Sequence, residues 1–244
     1  NDKKRVLLNV LHLSSKRVLK DITFKLYKGE ILGVAGLVGS GRTAVARALF
    51  GLENVSGEVY MNETLLKIKS PADAIKAGFG YLPEDMLRES LNANFDISAN
   101  ITLANLKDIS KALTIDRNRE KSISREFIKK LFIKTPSLQE NVTNLSQGNQ
   151  QKVHFSKWIH ANSKVLILDE PTNGIDIGTR VDIYNYMNNY VLKGNSILLI
   201  SSSMDELIGM CDRIMILNNG AIVSTLERHQ FSKENIIRYA SEGK

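Results

Sequence analysis

Apolar residues in the first third of the chain fall in short clusters at 6–10, 22–26 and 30–35, which predict three strands, the third running into a glycine-rich turn. A helix is expected over residues 42–50 and another short strand over 57–61. From about 98 to 160 the pattern turns helical, with Phe127, Ile128, Leu131 and Phe132 spaced i, i+1, i+4, i+5. Pro136 separates the helix that carries these residues from what comes next, and the last third of the chain follows after 160. There, strand and helix alternate. Residues 165–168 form a continuous apolar run ending at Asp169, as expected of a strand covered on both faces. A helix over 178–192 and an apolar strand over 196–200 follow. Asn219-Gly220 then joins 214–217 to 221–223 as a β-hairpin. Strand–helix alternation at both ends of a helical stretch predicts an α/β fold, a parallel-sheet core with an inserted helical subdomain.

Composition narrows the classes. At 43% hydrophobic and 24% charged over 244 residues, the chain can bury its own core. The lone cysteine, Cys211, rules out an internal disulfide framework and fits a reducing compartment. No run approaches the roughly 18 apolar residues of a membrane span, and no signal-peptide pattern opens the chain. The formal charge of +7 suits a polyanionic partner, and equally a merely solvated surface, since no basic run is longer than Lys3-Lys4-Arg5. A start at Asn1 rather than methionine reads as a segment cut from something longer.

Two segments carry phosphate chemistry. Gly36-Leu37-Val38-Gly39-Ser40-Gly41-Arg42-Thr43 matches G-x-x-x-x-G-K-[ST] with arginine at the lysine position. Glycines let successive backbone N–H groups curl into a nest for a polyphosphate, and the following helix adds its positive end. Thr43 is placed to give a hydroxyl to Mg²⁺, and Arg42 a cation to the phosphates. Read alone, the segment also suits a glycine-rich turn without a ligand. Leu168-Asp169-Glu170-Pro171 brings two acids to a strand end: Asp169 to hold Mg²⁺ through water, Glu170 to polarise an attacking water.

A third segment, Leu145-Ser146-Gln147-Gly148-Asn149-Gln150-Gln151, precedes a helix with Phe155, Trp158 and Ile159 on its apolar face. Ser146 is read as its N-cap and Gly148 as a point of close backbone access. Trp158 reads as helix packing and His154 as surface.

With the phosphate loop, a helical insert carrying residues 145–151 and then the acidic strand end in that order along the chain, the sequence resembles the ATP-binding-cassette ATPases, and within them the importer ATPases for monosaccharides. Tyr81-Leu82-Pro83-Glu84-Asp85, Gly174-Ile175-Asp176-Ile177-Gly178 and the arginine of the phosphate loop look like that subfamily too. The resemblance implies a P-loop NTPase core with a parallel sheet, an antiparallel β subdomain and a helical signature subdomain inserted at about 85–160. It also implies that residues 1–244 form one cassette, the second of two fused in a longer chain. ATP and Mg are the implied cofactors. Gly36, Val38, Gly39, Ser40, Gly41, Arg42 and Thr43 match the phosphate-binding positions, Thr43 and Asp169 the metal positions, and Glu170 the catalytic glutamate. Glu84 stands at the Q-loop position and Asp176 at the D-loop aspartate. Ser146 and Gly148 match residues that reach a partner cassette's ATP. The implied partners are the first cassette, a membrane permease and, indirectly, a sugar-binding protein, with the chain at the cytoplasmic face of the membrane.

The chain also departs from the family pattern at several positions. Ser202 stands where the family has its switch histidine, and the histidines at 12, 154, 160 and 229 lie elsewhere. Gln147 replaces the first signature glycine, which is expected to crowd the partner's nucleotide. No adenine-stacking aromatic occurs near Ser14. Together these imply a site that binds ATP but hydrolyses it poorly, beside a signature that completes a competent site on the partner. The rival class is a cassette ATPase acting on nucleic acid or ribosomes, suggested by the basic charge. Unremarkable linkers weigh against it, so no nucleic acid is expected as a partner. A kinase or GTPase leaves residues 145–151 unexplained and lacks N-K-x-D.

Overall fold

The computed structural model describes residues 5–111 and 114–242, so Asn1 and the Lys3-Lys4 part of the basic run lie outside the described residues. The chain divides into two compact units: residues 1–81, 164–170 and 188–244 form the first, and 82–163 with 171–187 the second.

The first unit holds two sheets. Strands β1 (Val6–Ser15), β2 (Ile22–Tyr27), β4 (Val55–Met61) and β5 (Thr64–Leu65) form an antiparallel sheet in the order β2-β1-β4-β5. Its alternation is plain in β2, where Ile22, Phe24 and Leu26 are buried and Thr23 and Lys25 exposed. The other sheet runs β12 (Ala221–Glu227), β11 (Arg213–Asn218), β3 (Ile31–Gly36), β10 (Ser196–Ile200), β9 (Val165–Asp169), β6 (Phe79–Leu82). β11, β3, β10 and β9 pair in parallel, and β12 returns antiparallel to β11. Every residue of β9 and β10 is buried, the fate foreseen for their continuous apolar runs. The β11–β12 turn places Asn219 at φ 47° and Gly220 at φ 80°, the left-handed pair a two-residue hairpin turn requires.

Helix α1 (Arg42–Leu49) follows β3 directly. Helix α2 (Pro71–Ala77), absent from the sequence reading, has every start and stop signal in miniature. Ser70 caps it, Pro71 opens it and Gly78 at φ 95° ends it. Helices α9 (Met204–Met210) and α10 (Lys233–Glu242) complete the unit.

The second unit contains α3 (Met86–Glu89), α4 (Ile97–Thr102), α5 (Leu106–Ile109), α6 (Arg117–Lys130), α7 (Gln147–His160) and the start of α8 (Ile177–Leu192). α4 packs on both α6 and α7. Two expectations are corrected. The stretch from 98 to 160 is not helical throughout, because Ser110–Lys111 (β7) pairs with Thr114–Ile115 (β8) as a small hairpin. Nor does the α6 pattern extend to Phe132. The helix closes at Leu131, with the Ile133 N–H returning to the Ile128 carbonyl and Phe132 at φ 50° and 70% exposed.

His154, read as surface, is fully buried. Its Nε2 lies 2.5 Å from the Ser90 hydroxyl, and Lys157 one turn on donates to the Ser90 carbonyl at 2.9 Å. The Lys157 ammonium also sits 4.8 Å from the Trp158 ring centroid. Burial pushes the Lys157 ammonium down to about 8 from an ordinary 10.5. The folded chain carries the full cost of this buried charge below pH 8 and is relieved as pH climbs toward 10.5, where the unfolded chain alone remains protonated. Wild type should therefore gain stability relative to Lys157→Met across that window, by about 3 kcal/mol at most. Urea melts of both proteins at the two ends of the window measure it, and a constant difference would refute the assignment.

Candidate functional site

In the first unit, β3 delivers the chain to Gly36, after which the loop opens outward: Leu37 is half-exposed and Val38 is 98% exposed. Gly36 has no room for a side chain, since a Cβ there would lie 2.4 Å from Ser40 Oγ and 2.6 Å from the Leu217 carbonyl. Gly39, at φ 82°, has nothing within 4 Å of where its Cβ would stand. Gly41, at φ 102°, occupies the N-cap of α1 without a side-chain cap, and the first turn carries no acid. The first N–H groups of α1 are therefore left for an outside acceptor, at the positive end of the helix. Thr43 is exposed in that first turn. Ser40 Oγ is buried with no hydrogen-bond partner among the described residues. An empty-handed donor beside an uncapped helix and an open glycine is a fit for phosphate oxygens.

The acids arrive beside it. Asp169 ends β9, 2% exposed, in register with Ile200 of β10, which itself pairs with Val34 of β3. Glu170 turns to φ 51° while its N–H bonds the Ile200 carbonyl at 2.9 Å. That bend aims its carboxylate at the segment after β10. Ser202 Oγ donates to Glu170 Oε2 at 3.0 Å. Arg42 Nη1 lies 3.6 Å from Glu170 Oε1 and donates to the Ser201 carbonyl at 2.8 Å. Both charged side chains are nearly shielded, at 13% and 12% exposure. Gly36, Val38, Gly39, Ser40, Gly41, Arg42, Thr43, Asp169, Glu170 and Ser202 thus all belong to one unit.

Glu84, Ser146 and Gly148 belong to the other. Ser146 occupies the N-cap of α7 as foreseen, but its hydroxyl accepts from Asn149 Nδ2 at 2.9 Å rather than from the helix backbone. Gly148 is pressed against Thr179, whose Cγ2 would be 2.5 Å from an added Cβ. Gln147 turns its amide back to the Asn173 carbonyl at 2.9 Å, against the left-handed Gly174. Asn173 Nδ2 in turn donates to Glu84 Oε1 at 3.4 Å. Asp176 accepts from the Thr179 backbone N–H at 3.0 Å, and that bond, with others from Thr179 and Gly178, holds its carboxyl below the usual range.

Sequence reasoning missed Ser201, Asn173 and Gly220. The first two act through backbone carbonyls or a lone amide, which leave no motif. The Gly220 N–H bonds the Ser40 carbonyl at 2.9 Å, joining the β11–β12 turn to the phosphate loop. The pair Asn219-Gly220 announced the turn but not its target.

A glycine-rich loop feeding an uncapped helix, with acids at the end of the parallel strand two places along the sheet, defines a class. Residues 19–173 match the ABC transporter family model, and the chain belongs to that family. Its similarity is high to the ribose import ATP-binding protein of Clostridium tetani, at 42% identity over 96% of this chain and 47% of that protein. The xylose import ATP-binding protein of Thermoanaerobacter pseudethanolicus is also 42% identical, over 95% of this chain and 46% of its own length. A ribose import ATP-binding protein of Rubrobacter xylanophilus reaches 45%, over 97% and 48%. The chain spans about half the length of the curated relatives it matches. Among solved structures, an ATP-binding cassette of an ABC transporter in its ADP conformation superposes with TM-score 0.75 at 19% identity, covering 97% of this chain and 95% of that one. A dimeric post-hydrolysis cassette with ADP and phosphate gives 0.77 at 17%, covering 91% and 99%. These two establish the α/β cassette fold: a P-loop NTPase core with a mainly parallel sheet, an antiparallel sheet and a helical part.

Proposed function

We propose that this chain is the second nucleotide-binding cassette of an ATP-driven monosaccharide importer, working at the cytoplasmic face of the membrane beneath a permease. The observation that carries it is the meeting of the phosphate loop with the acidic strand end, Arg42 and Glu170 being 3.6 Å apart. The likeness to ribose and xylose import ATP-binding proteins over nearly the whole chain supports the sugar. No helix among the described residues is long and apolar enough to cross a membrane. By the family resemblance, the permease is assigned to the surface around residues 85–105. A sugar-binding protein would act through that permease.

In this reading the backbone amides of Gly36–Thr43 take the triphosphate, with Val38 on the outer wall and Ser40 Oγ adding a donor. Thr43 and Asp169 are the residues that would hold magnesium, which when bound neutralises phosphate charge. Glu170 accepts the proton of the attacking water, and Glu84 reports on the site from the Q-loop position. Ser146 and Gly148 face the ATP of the first cassette. Gln147, beside them, has its amide tied back to the Asn173 carbonyl at 2.9 Å.

Turnover at this cassette's own site is slow. Serine at 202 carries no positive charge or transferable imidazolium proton to the γ-phosphate. Losing both the switch histidine and the loop lysine costs about 10²-fold or more, the worth of positioned proton-transfer and electrostatic groups. The test is ATP binding and hydrolysis by the purified chain alone and mixed with the first cassette. Binding alone, with turnover appearing only in the mixture and falling on Ser146→Ala, is expected. Vigorous Glu170-dependent hydrolysis by the chain alone would refute the slow-site reading.

A further inference from the structure

We propose that Arg42 is a positioning residue for Glu170, bracing the acidic end of β9 against the segment after β10, and that bound phosphates are held by the loop's backbone amides rather than by this side chain. The inference rests on the reading of the site as an ATP site and concerns how its parts are held.

Position 42, arginine where the phosphate-loop pattern has lysine, and position 202, serine at the switch-histidine position, meet on one carboxylate. Each engages a different oxygen: Arg42 faces Oε1 at 3.6 Å and Ser202 donates to Oε2 at 3.0 Å. The same Arg42 nitrogen donates to the Ser201 carbonyl at 2.8 Å, so a single guanidinium links α1, Glu170 and the residue before Ser202. Arg42 and Ser202 thus bear on the same acid from two sides.

Arginine suits this duty where lysine does not. A planar guanidinium offers five donors in a fixed fork and can serve a carbonyl and a carboxylate together, whereas an ammonium is a compact point charge. With both side chains largely shielded, the pair is screened far less than a surface pair. The cost of directing Arg42 inward is borne by the rest of the loop. Gly39, the buried Ser40 hydroxyl and the uncapped start of α1 remain to meet an anion, and helix N-termini bind phosphate without a side-chain cation.

The test compares wild type with Arg42→Met, Arg42→Lys, Glu170→Gln and the Arg42→Met/Glu170→Gln double variant. Melting midpoints are read together with titrations of fluorescent ATP and ADP analogues in Mg²⁺. Arg42→Met should melt about 2–4 °C below wild type, the shift expected for the loss of one shielded pair in a chain of this size. The double variant should melt no lower than Arg42→Met alone, because both changes break the same contact. ATP affinity of Arg42→Met should stay within about threefold of wild type, since a group that does not touch the phosphates contributes little to ΔG of binding. Arg42→Lys separates bracing from bulk: it should lose the same few degrees, because an ammonium cannot serve the carbonyl and the carboxylate together, and should keep ATP affinity within about threefold of wild type. A tenfold or larger loss of ATP over ADP preference in Arg42→Met, or melting losses that add in the double variant, would overturn the proposal. If wild type binds no ATP at all, the functional reading fails instead, and the melting comparison still reports on the brace.

Discussion

Glu30→Ala should cost the protein about 3–5 kcal/mol of unfolding free energy, the typical result of stripping one partner from a buried ion pair. Glu30 is 3% exposed and lies just after the turn that follows β2. Its carboxylate accepts from Arg213 Nε at 2.6 Å, from Arg213 Nη2 at 3.1 Å and from the Tyr27 N–H at 2.6 Å. Arg213, at the start of β11, also donates to the Lys25 carbonyl at 2.7 Å and lies 4.8 Å from the Tyr27 ring centroid. One guanidinium thereby joins the antiparallel sheet to the parallel one within the first unit. Alanine at 30 leaves that cation buried without its counter-charge, and the penalty is mostly the stranded charge. Exchanging both residues for apolar ones of similar size, Glu30→Leu with Arg213→Met, should recover a large part of the loss. Urea unfolding of the single and double variants measures it. A single-variant loss below about 1 kcal/mol would show the pair to be no stronger than a surface contact.

Gly220→Ala is the second change with a large expected effect, and it acts at a distance from any motif. Gly220 has φ 80°, and a Cβ there would stand 1.7 Å from the Val18 carbonyl oxygen. Its N–H bonds the Ser40 carbonyl at 2.9 Å and its own carbonyl receives the Lys20 N–H at 2.7 Å. The turn cannot keep both bonds and admit a methyl group, so the hairpin must back away from the phosphate loop. Strained backbone of this kind costs about 1–3 kcal/mol before the clash is counted. Ser40 moves with it, so nucleotide affinity should fall about tenfold, which is 1.4 kcal/mol in binding. Urea melts and a fluorescent-nucleotide titration separate the two effects. Lost stability with unaltered affinity would show that the hairpin does not position the loop.

Local chemistry made much of this fold legible. β9 and β10 could be read because a strand covered on both faces has no polar choice to make, and the β11–β12 hairpin because Asn-Gly supplies the left-handed turn. Positions 36–43, 169 and 170 stood out because the pattern there is also local: glycines at a strand-to-helix turn, acids at a strand end. Side-chain direction was not legible. Nothing in the identity of Arg42 says that it turns to Ser201, nor does His154 announce that Ser90 waits for it inside the second unit. Such pairings join residues 64 or 159 positions apart and depend on the finished packing. Short elements escaped for a different reason. α2 spans seven residues and the β7–β8 hairpin two residue pairs, too few for a period to emerge.

Glu170 sits in a backbone region where an L-residue gives up roughly 1–2 kcal/mol and glycine almost nothing. Glycine would relax that bend, but it would also forfeit the contacts that Glu170 makes with Arg42 and Ser202. A chain that tolerates such a permanent discomfort, at the one turn directing a carboxylate toward Arg42 and Ser202, has traded robustness for the placement of a single functional group.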